Sequence, residues 1–205
     1  KGVESKWLAE KQVEKRRRLR GIGVRSEVRA EPLESGVALL PDELSRLGQL
    51  WEKRDGLEFD RLVEAINQRL GDSEKRNNAM VDYLNRSSEH SILFFANSVG
   101  HSMEMAARLN LAGIPAASIS GETPRSARRY FLDLFHTGEI RVLCNHSVLT
   151  TGFDAPKTDM VFISRNVFSA VRYMQMVGRG LRGEKNGGTE RCKIVTVIDN
   201  LVKGA

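Results

Sequence analysis

The most constraining stretch of the sequence is Ser91-Ile92-Leu93-Phe94-Phe95-Ala96, a continuous apolar run of strand length. A strand without polar alternation has to be covered on both faces, as in a parallel sheet flanked by helices. The residues that follow repeat the unit. Ser98 is placed to cap a helix running to about Ala112, and Gly113 to stop it. Ala116 to Ile119 reads as a second strand. Thr123 as N-cap and Pro124 at the first helical position open another helix, with Ala127, Phe131, Leu134 and Phe135 on its buried face. Ile140 to Cys144, Met160 to Ile163 and Ile194 to Ile198 read as further strands, and Ser169 to Val177 as a helix. The implied fold is α/β: an open, mostly parallel sheet with helices on both faces, right-handed crossovers, and ligands beyond the carboxyl ends of the strands.

Upstream, the period changes from 2 to 3.6. Pro41 opens a helix with Leu44, Leu47 and Leu50/Trp51 on one face. Phe59, Leu62, Val63, Ile66 and Leu70 form a second stripe, broken by Gly71, and Met80, Tyr83 and Leu84 a third. All three read as core packing. Residues 22–30 alternate weakly, as a short strand would, and Pro32 to Pro41 reads as a linker. The expected organisation is a basic N-terminal extension or linker over 1–40 and one domain over 41–205. The chain opens on a charged helix without a core of its own, which suggests a piece of a longer protein.

Composition narrows the classes. Of the 205 residues 40% are hydrophobic and 28% charged, as in an ordinary globular chain, and no apolar run approaches the ~18 residues of a membrane span. The first twenty residues are charged throughout, unlike a signal peptide, so a cytoplasmic location is expected. The net charge of +6 resides in residues 1–30, which hold ten Lys/Arg against four Glu. Lys15-Arg16-Arg17-Arg18 with Arg20 fits either a phosphate footprint or a solvated helix face, and charge patterning favours the latter. Cys144 and Cys192 stand in apolar settings as buried thiols, and the four histidines lack zinc spacing, so no metal site is expected within the chain.

The segment richest in chemistry is Gln175-Met176-Val177-Gly178-Arg179-Gly180-Leu181-Arg182. Two arginines three residues apart at a glycine-bounded helix end make a compact cationic fork. Arginine stays charged and offers planar, paired donors to phosphate oxygens. Gly178 and Gly180 leave little bulk between backbone and ligand. A single arginine there would merely suit the helix dipole; the pair points to an anion.

These residues resemble motif VI of superfamily 2 helicases and translocases. Val148-Leu149-Thr150-Thr151-Gly152-Phe153-Asp154-Ala155-Pro156 resembles motif V, and Leu93-Phe94-Phe95-Ala96-Asn97-Ser98 resembles motif IV. Gly121-Glu122-Thr123-Pro124 through Arg128 resembles the loop-and-helix element between them. The resemblance covers roughly residues 80–200 and implies a RecA-like second motor domain. It assigns Arg179 and Arg182 to the γ-phosphate of ATP bound between two RecA-like domains, with Gln175 orienting that site or linking it to nucleic acid. Asp154 would contact the ribose hydroxyl, and the Gly152 backbone would lie close to nucleotide and strand. Ser98, Gly121, Thr150 and Arg128 would meet the nucleic-acid backbone, which positions a strand without reading its sequence.

Departures from the family pattern are equally informative. Thr151 replaces the common Glu or Arg before the motif V glycine. Arg125 stands where DEAD-box members place Gln, and Gln175 where they place His. The Gly-Phe-Asp-x-Pro form resembles the helicase subunits of type I and type III restriction enzymes and related DNA-repair translocases, which favours DNA over RNA as partner. No G-x-x-x-x-G-K-[ST] loop or acidic metal-binding segment occurs, so the Mg2+ ligands and ATP cradle are expected on an N-terminal RecA-like domain, and this chain alone is expected not to hydrolyse ATP. Other readings stay open: an RNA helicase domain, or a nucleic-acid-binding or regulatory module without a motor role. A dinucleotide oxidoreductase is disfavoured, since Gly21-Ile22-Gly23 lacks the third glycine of G-x-G-x-x-G.

Overall fold

The computed structural model describes residues 27–54, 56–146, 157–178 and 188–200. In chain order the elements are β1 (Glu27–Ala38), α1 (Pro41–Leu50), a short 3-10 turn (Trp51–Lys53), α2 (Leu57–Gly71), α3 (Glu74–Arg86), β2 (Ile92–Phe95), α4 (Val99–Leu111), β3 (Ala116–Ile119), α5 (Arg125–Thr137), β4 (Val142–Asn145), β5 (Met160–Ile163), α6 (Ala170–Gly178) and β6 (Arg191–Asn200). Among the described residues the strands form one six-stranded sheet in the order β1-β6-β5-β2-β4-β3, and every pair is parallel.

The central strands explain the layering. Every residue of β2, β4 and β5 is buried. Successive side chains point to opposite faces, so the run divides into two cores. Leu93, Phe95, Leu143, Val161, Ile163 and Ile194 pack under α5 and α6 against Phe135, Tyr173, Met176 and Val177. Ile92, Phe94, Val142, Cys144, Met160, Phe162 and Val195 pack under α3 and α4 against Met80, Leu84, Met105 and Leu109. Phe94 and Phe162, neighbours in register, stack with ring centroids 5.0 Å apart. The β2-to-β3 crossover moves one way along the sheet through α4. The β3-to-β4 and β5-to-β6 crossovers move the other way, through α5 and α6 on the opposite face. One constant crossover hand demands that reversal.

Helices α1 and α2 form a satellite core. Leu47, Phe59, Leu62, Val63, Ile66 and Leu70 are buried together, with Trp51 and Phe168 against them. Glu43 joins the two helices: it accepts from the Leu40 amide at 2.8 Å and from Arg69 Nε and Nη2 at 2.6 Å each. The charge-assisted pair also keeps the Arg69 guanidinium pKa raised, first through that hydrogen bond.

The structure departs from sequence expectation in four places. The stretch from Pro32 is not a linker: it is the second half of β1, which pairs with β6 from Glu27↔Arg191 to Glu34↔Ile198. Pro32 is tolerated because β1 lies at the edge of the sheet, where one side of the strand needs no ladder partner. Pro124 is the N-cap of α5 and not its first helical residue. Thr123 instead closes the preceding turn, accepting from the Ser120 amide at 2.8 Å. On α5 only Phe135 is fully buried, while Ala127, Phe131 and Leu134 are half-buried. Finally, β6 is longer than Ile194–Ile198 because it must pair along both β5 and β1.

Both cysteines are buried, and burial raises both thiol pKa values, that of Cys192 to about 12. No helix among the described residues is long and apolar enough to cross a membrane. The basic run at residues 15–20 lies outside the described residues.

Because Phe162 fills the space between two strands and α3, Phe162→Ala is expected to lower the unfolding free energy by about 3–5 kcal/mol. Leu111, 89% exposed, is the control, since Leu111→Ser is expected to stay within about 0.5 kcal/mol. Urea unfolding midpoints of the two variants check both values.

Candidate nucleotide and nucleic-acid interface

The carboxyl ends of the strands gather the polar turns. Asn97-Ser98 follows β2, Ser120 to Thr123 follows β3, His146 follows β4 and Ser164 to Ser169 follows β5. This is the edge at which open α/β sheets hold ligands.

At the first turn, Ser98 is 7% exposed and caps α4, its hydroxyl accepting from the His101 amide at 3.1 Å. His101 is held by both ring nitrogens. Its Nδ1 accepts from the Asn97 amide at 3.0 Å, and its Nε2 lies 3.0 Å from Asn77 Oδ1, whose amide nitrogen donates to the Gly71 carbonyl at 2.8 Å. With Nδ1 accepting, the proton sits on Nε2 and the ring is neutral. Burial, then the Arg76 charge, pushes the His101 pKa down to about 3.

At the second turn, Gly121 is exposed, with open space where a side chain would project. Arg128 folds back onto the turn, donating from Nη2 to the Ser120 carbonyl at 2.9 Å and to those of Gly121 and Thr123 at 3.4 Å each. It therefore braces the turn with the group expected to meet a strand. Its neighbours behave differently. Arg125 and Arg129 are exposed, and among the described residues neither makes an ion pair. Positive charge at a helix N-terminus opposes the macrodipole, and the first turn of α5 has no acidic residue to offset it. Arg125, in that first turn, gains nothing from the dipole, and both side chains are left open to solvent.

The third and fourth turns lead to the remaining motif residues. Thr150, Gly152, Asp154, Arg179 and Arg182 lie outside the described residues. On α6, Gln175 faces solvent while Tyr173, Met176 and Val177 enter the core, and the described part of the helix runs to Gly178, next in sequence to Arg179. Phe168, in the connection to α6, packs edge-on against Phe59 at 5.4 Å and Trp51 at 6.4 Å. Arg172 of α6 pairs with Asp60 of α2 at 3.2 Å. Glu64 of α2 lies 3.6 Å from His146 and 3.4 Å from Arg165. The His146 pKa is lowered, by burial first and then by Arg165, with Glu64 opposing.

Sequence reasoning missed the centre of this edge. Arg76 of α3 is fully buried and donates to groups on three other elements. Its Nε reaches Asp199 Oδ1 at 2.7 Å and Nη2 reaches Oδ2 at 3.2 Å. Its Nη1 reaches Asn97 Oδ1 at 3.2 Å and Ser164 Oγ at 2.9 Å, and Nη2 also meets the Ser164 carbonyl. In sequence Arg76 stands among polar residues of α3, and only its three-dimensional partners betray it.

A cavity of about 380 Å³ lies at the opposite, amino edge, lined by Arg29, Ser88, Glu89, Asp159, Arg191, Cys192 and Lys193. Its charges are largely paired internally, Lys193 with Glu89 at 2.5 Å and Asp159 with the His90 and Ser91 amides at 2.8 and 2.9 Å. It is remote from the motif-bearing turns and joins none of them.

The His101 geometry has a pH consequence. The free side chain takes a proton near pH 6.5, whereas the folded one resists until about pH 3. The stability that depends on the neutral ring is full above about pH 6.5 and is lost as pH falls toward 3, at up to about 1.4 kcal/mol per pH unit. Urea midpoints measured from about pH 7 to 5 are therefore expected to fall more steeply in the wild type than in His101→Gln. Parallel slopes would contradict a buried neutral ring.

The family model for the helicase conserved C-terminal domain matches residues 75–184. The irc3 protein of Schizosaccharomyces pombe, named as a mitochondrial ATP-dependent helicase, is 36% identical over 115 residues, covering 56% of this chain and 19% of that protein. The ATP-dependent rRNA helicase RRP3 of Mycosarcoma maydis is 31% identical over 103 residues, 50% of this chain and 18% of that protein. The chain spans under a fifth of the length of these two relatives. Among solved structures, the Mycobacterium smegmatis helicase Lhr bound to ssDNA and AMP-PNP aligns with a TM-score of 0.53 at 17% identity, over 85% of this chain and 20% of that one, a likeness of fold. A parallel sheet of RecA-like layout and a family match over residues 75–184 lead to one statement: the chain belongs to the helicase conserved C-terminal domain family.

Proposed function

We propose that this chain is the second motor domain of an ATP-dependent DNA helicase or translocase, supplying Arg179 and Arg182 to ATP held mainly by an N-terminal RecA-like domain. The observation that carries the reading is α6. Its apolar face packs into the core beside the sheet, Gln175 faces solvent, and its described residues run to Gly178, which precedes the arginine pair in sequence. A rigid helix ahead of a glycine-bounded cationic fork is a suitable mount for fingers that must meet spread phosphate charge.

The other residues take the roles that the family resemblance gives them. Asp154 accepts from the ribose hydroxyl, and the Gly152 backbone lies beside nucleotide and strand. Ser98, Gly121, Thr150 and Arg128 border the strand, Arg128 by shaping the turn around Gly121. Arg125 and Arg129 join them as direct phosphate contacts. The donor set fits a triphosphate and a ribose: arginines for anionic oxygens, one carboxylate for a hydroxyl. Ligands expected on the N-terminal domain would hold Mg2+, which when bound would supply charge neutralisation at the phosphates. Closure brings the arginines to the phosphates and hydrolysis releases them, so that alternating closure steps the domains along a strand.

DNA is preferred on the Gly152-Phe153-Asp154-Ala155-Pro156 form, which resembles DNA translocases of restriction systems. RNA is the second reading, favoured by the 31% identity to an rRNA helicase. Single strands of DNA and RNA of the same sequence, compared as activators of ATP turnover, separate the two; stronger activation by DNA is expected.

Two experiments test the site. In the full-length protein Arg179→Ala and Arg182→Ala are each expected to lower strand-stimulated ATP turnover by ~10³–10⁵-fold with strand affinity retained. Wild-type turnover in both would remove the finger assignment. Arg125→Ala/Arg129→Ala is expected to weaken strand binding at all sequences alike. Its log–log salt slope should shrink by about 1.4, at about 0.7 per phosphate for single strands. An unchanged slope would return both arginines to plain solvated charge.

A further inference from the structure

We infer that Arg76 is a positioning residue that locks the turn after β2 and the connection after β5 into one unit, tying the strand-facing edge to the helix that leads to Arg179. The inference rests on the motor reading above and assigns a role to a residue outside motifs IV, V and VI.

The guanidinium has five N–H donors. All five are used, and none is spent on its own helix. They go to the Asn97 side chain after β2, to the side chain and carbonyl of Ser164 after β5, and to both carboxylate oxygens of Asp199 on β6. Ser164 Oγ in turn donates to Asn97 Oδ1 at 2.5 Å, so the two turns are also joined directly. Asn166, two residues on, donates to Asp199 Oδ2 at 3.2 Å.

A second set of bonds closes the circuit from α2. Asn67 exchanges bonds with the Asn166 backbone, accepting from its amide at 2.8 Å and donating to its carbonyl at 3.2 Å. Its own carbonyl accepts from Asn97 Nδ2 at 3.1 Å. Phe168, further along the same connection, and Arg172 of α6 are held by Phe59 and Asp60 of α2. Residues 41–74, which include α1 and α2, lie outside the region matched by the family.

A plain ion pair inside a core has little reason to be kept, because apolar residues of the same volume commonly serve stability as well or better. What apolar residues cannot do is fix the spacing of three separate backbone segments through directed bonds. The Arg76 pair is invested in that spacing. One bonded side is the turn that contains Ser98, and the other is the start of the connection to α6. A displacement on one side cannot be absorbed without breaking bonds on the other.

The test uses the full-length protein and two kinds of variant. Arg76→Lys keeps the charge but loses the planar fork. Arg76→Met/Asp199→Leu removes both charges together, so that no charge is left buried alone. Amide hydrogen exchange is expected to accelerate in both segments, 97–102 and 164–178, while peptides of β2, β4 and β5 keep their protection. Strand-stimulated kcat is expected to fall by roughly tenfold, the range open to residues that modulate coupling, with strand affinity within about twofold. Acceleration confined to α3 would overturn the inference. So would loosening of both segments in a folded variant that keeps full strand stimulation. Absence of strand-stimulated turnover in the wild type would count against the motor reading, and the exchange result would then decide the Arg76 role by itself.

Discussion

Strand β2 has no exposed face, and neither do its neighbours β4 and β5. Burying four consecutive apolar residues obliges helices to cover both sides of the sheet, and the connections must then run back and forth over its ends. Many polar residues collect where the strands stop, and those inside the layers, such as Asn145 of β4 and Ser102 of α4, make hydrogen bonds there. Asn97 and Ser98, Ser120 to Thr123, His146 and Ser164 to Asn166 lie at the carboxyl edge, while Glu89, Asp159, Arg191 and Lys193 collect at the amino edge.

Arginine has three fates along that edge. Arg76 is fully buried and spends every donor inside the protein. Arg128 bends over the turn at Gly121 and satisfies its carbonyls. Arg125 and Arg129 stay exposed, Arg125 in the first turn of a helix whose dipole opposes it. Desolvation of Arg76 would cost several kcal/mol without Asp199, about the range seen when one partner of a buried pair is removed.

The sheet was legible because central strands such as Ile92–Phe95 and Met160–Ile163 are unbroken apolar runs. The edge strand was not, because Glu31, Pro32 and Glu34 suit a strand exposed on one side and equally suit a linker. The Thr123-Pro124 pair marked the right turn but the wrong cap, since Thr123 found a partner in Ser120. Gln175 was legible through its place in a motif, and the structure puts it on the solvent face of α6. Arg76 was not legible, because its partners lie 21, 88 and 123 residues away and no local period reports them. His101 was hidden in the same way: a lone histidine on a helix shows neither its neutral state nor its hold on the Asn97 amide. Thr150, Gly152, Asp154, Arg179 and Arg182 were read from motif and spacing, and that remains their support.

The central claim is that this chain holds half of an ATP site. The most direct measurement is ATP turnover by the isolated chain and by the full-length protein, side by side, with and without a nucleic-acid strand. The account predicts strand-stimulated turnover by the full-length protein and none above background by the isolated chain. Turnover by the isolated chain, or none by the full-length protein with strand present, would contradict it.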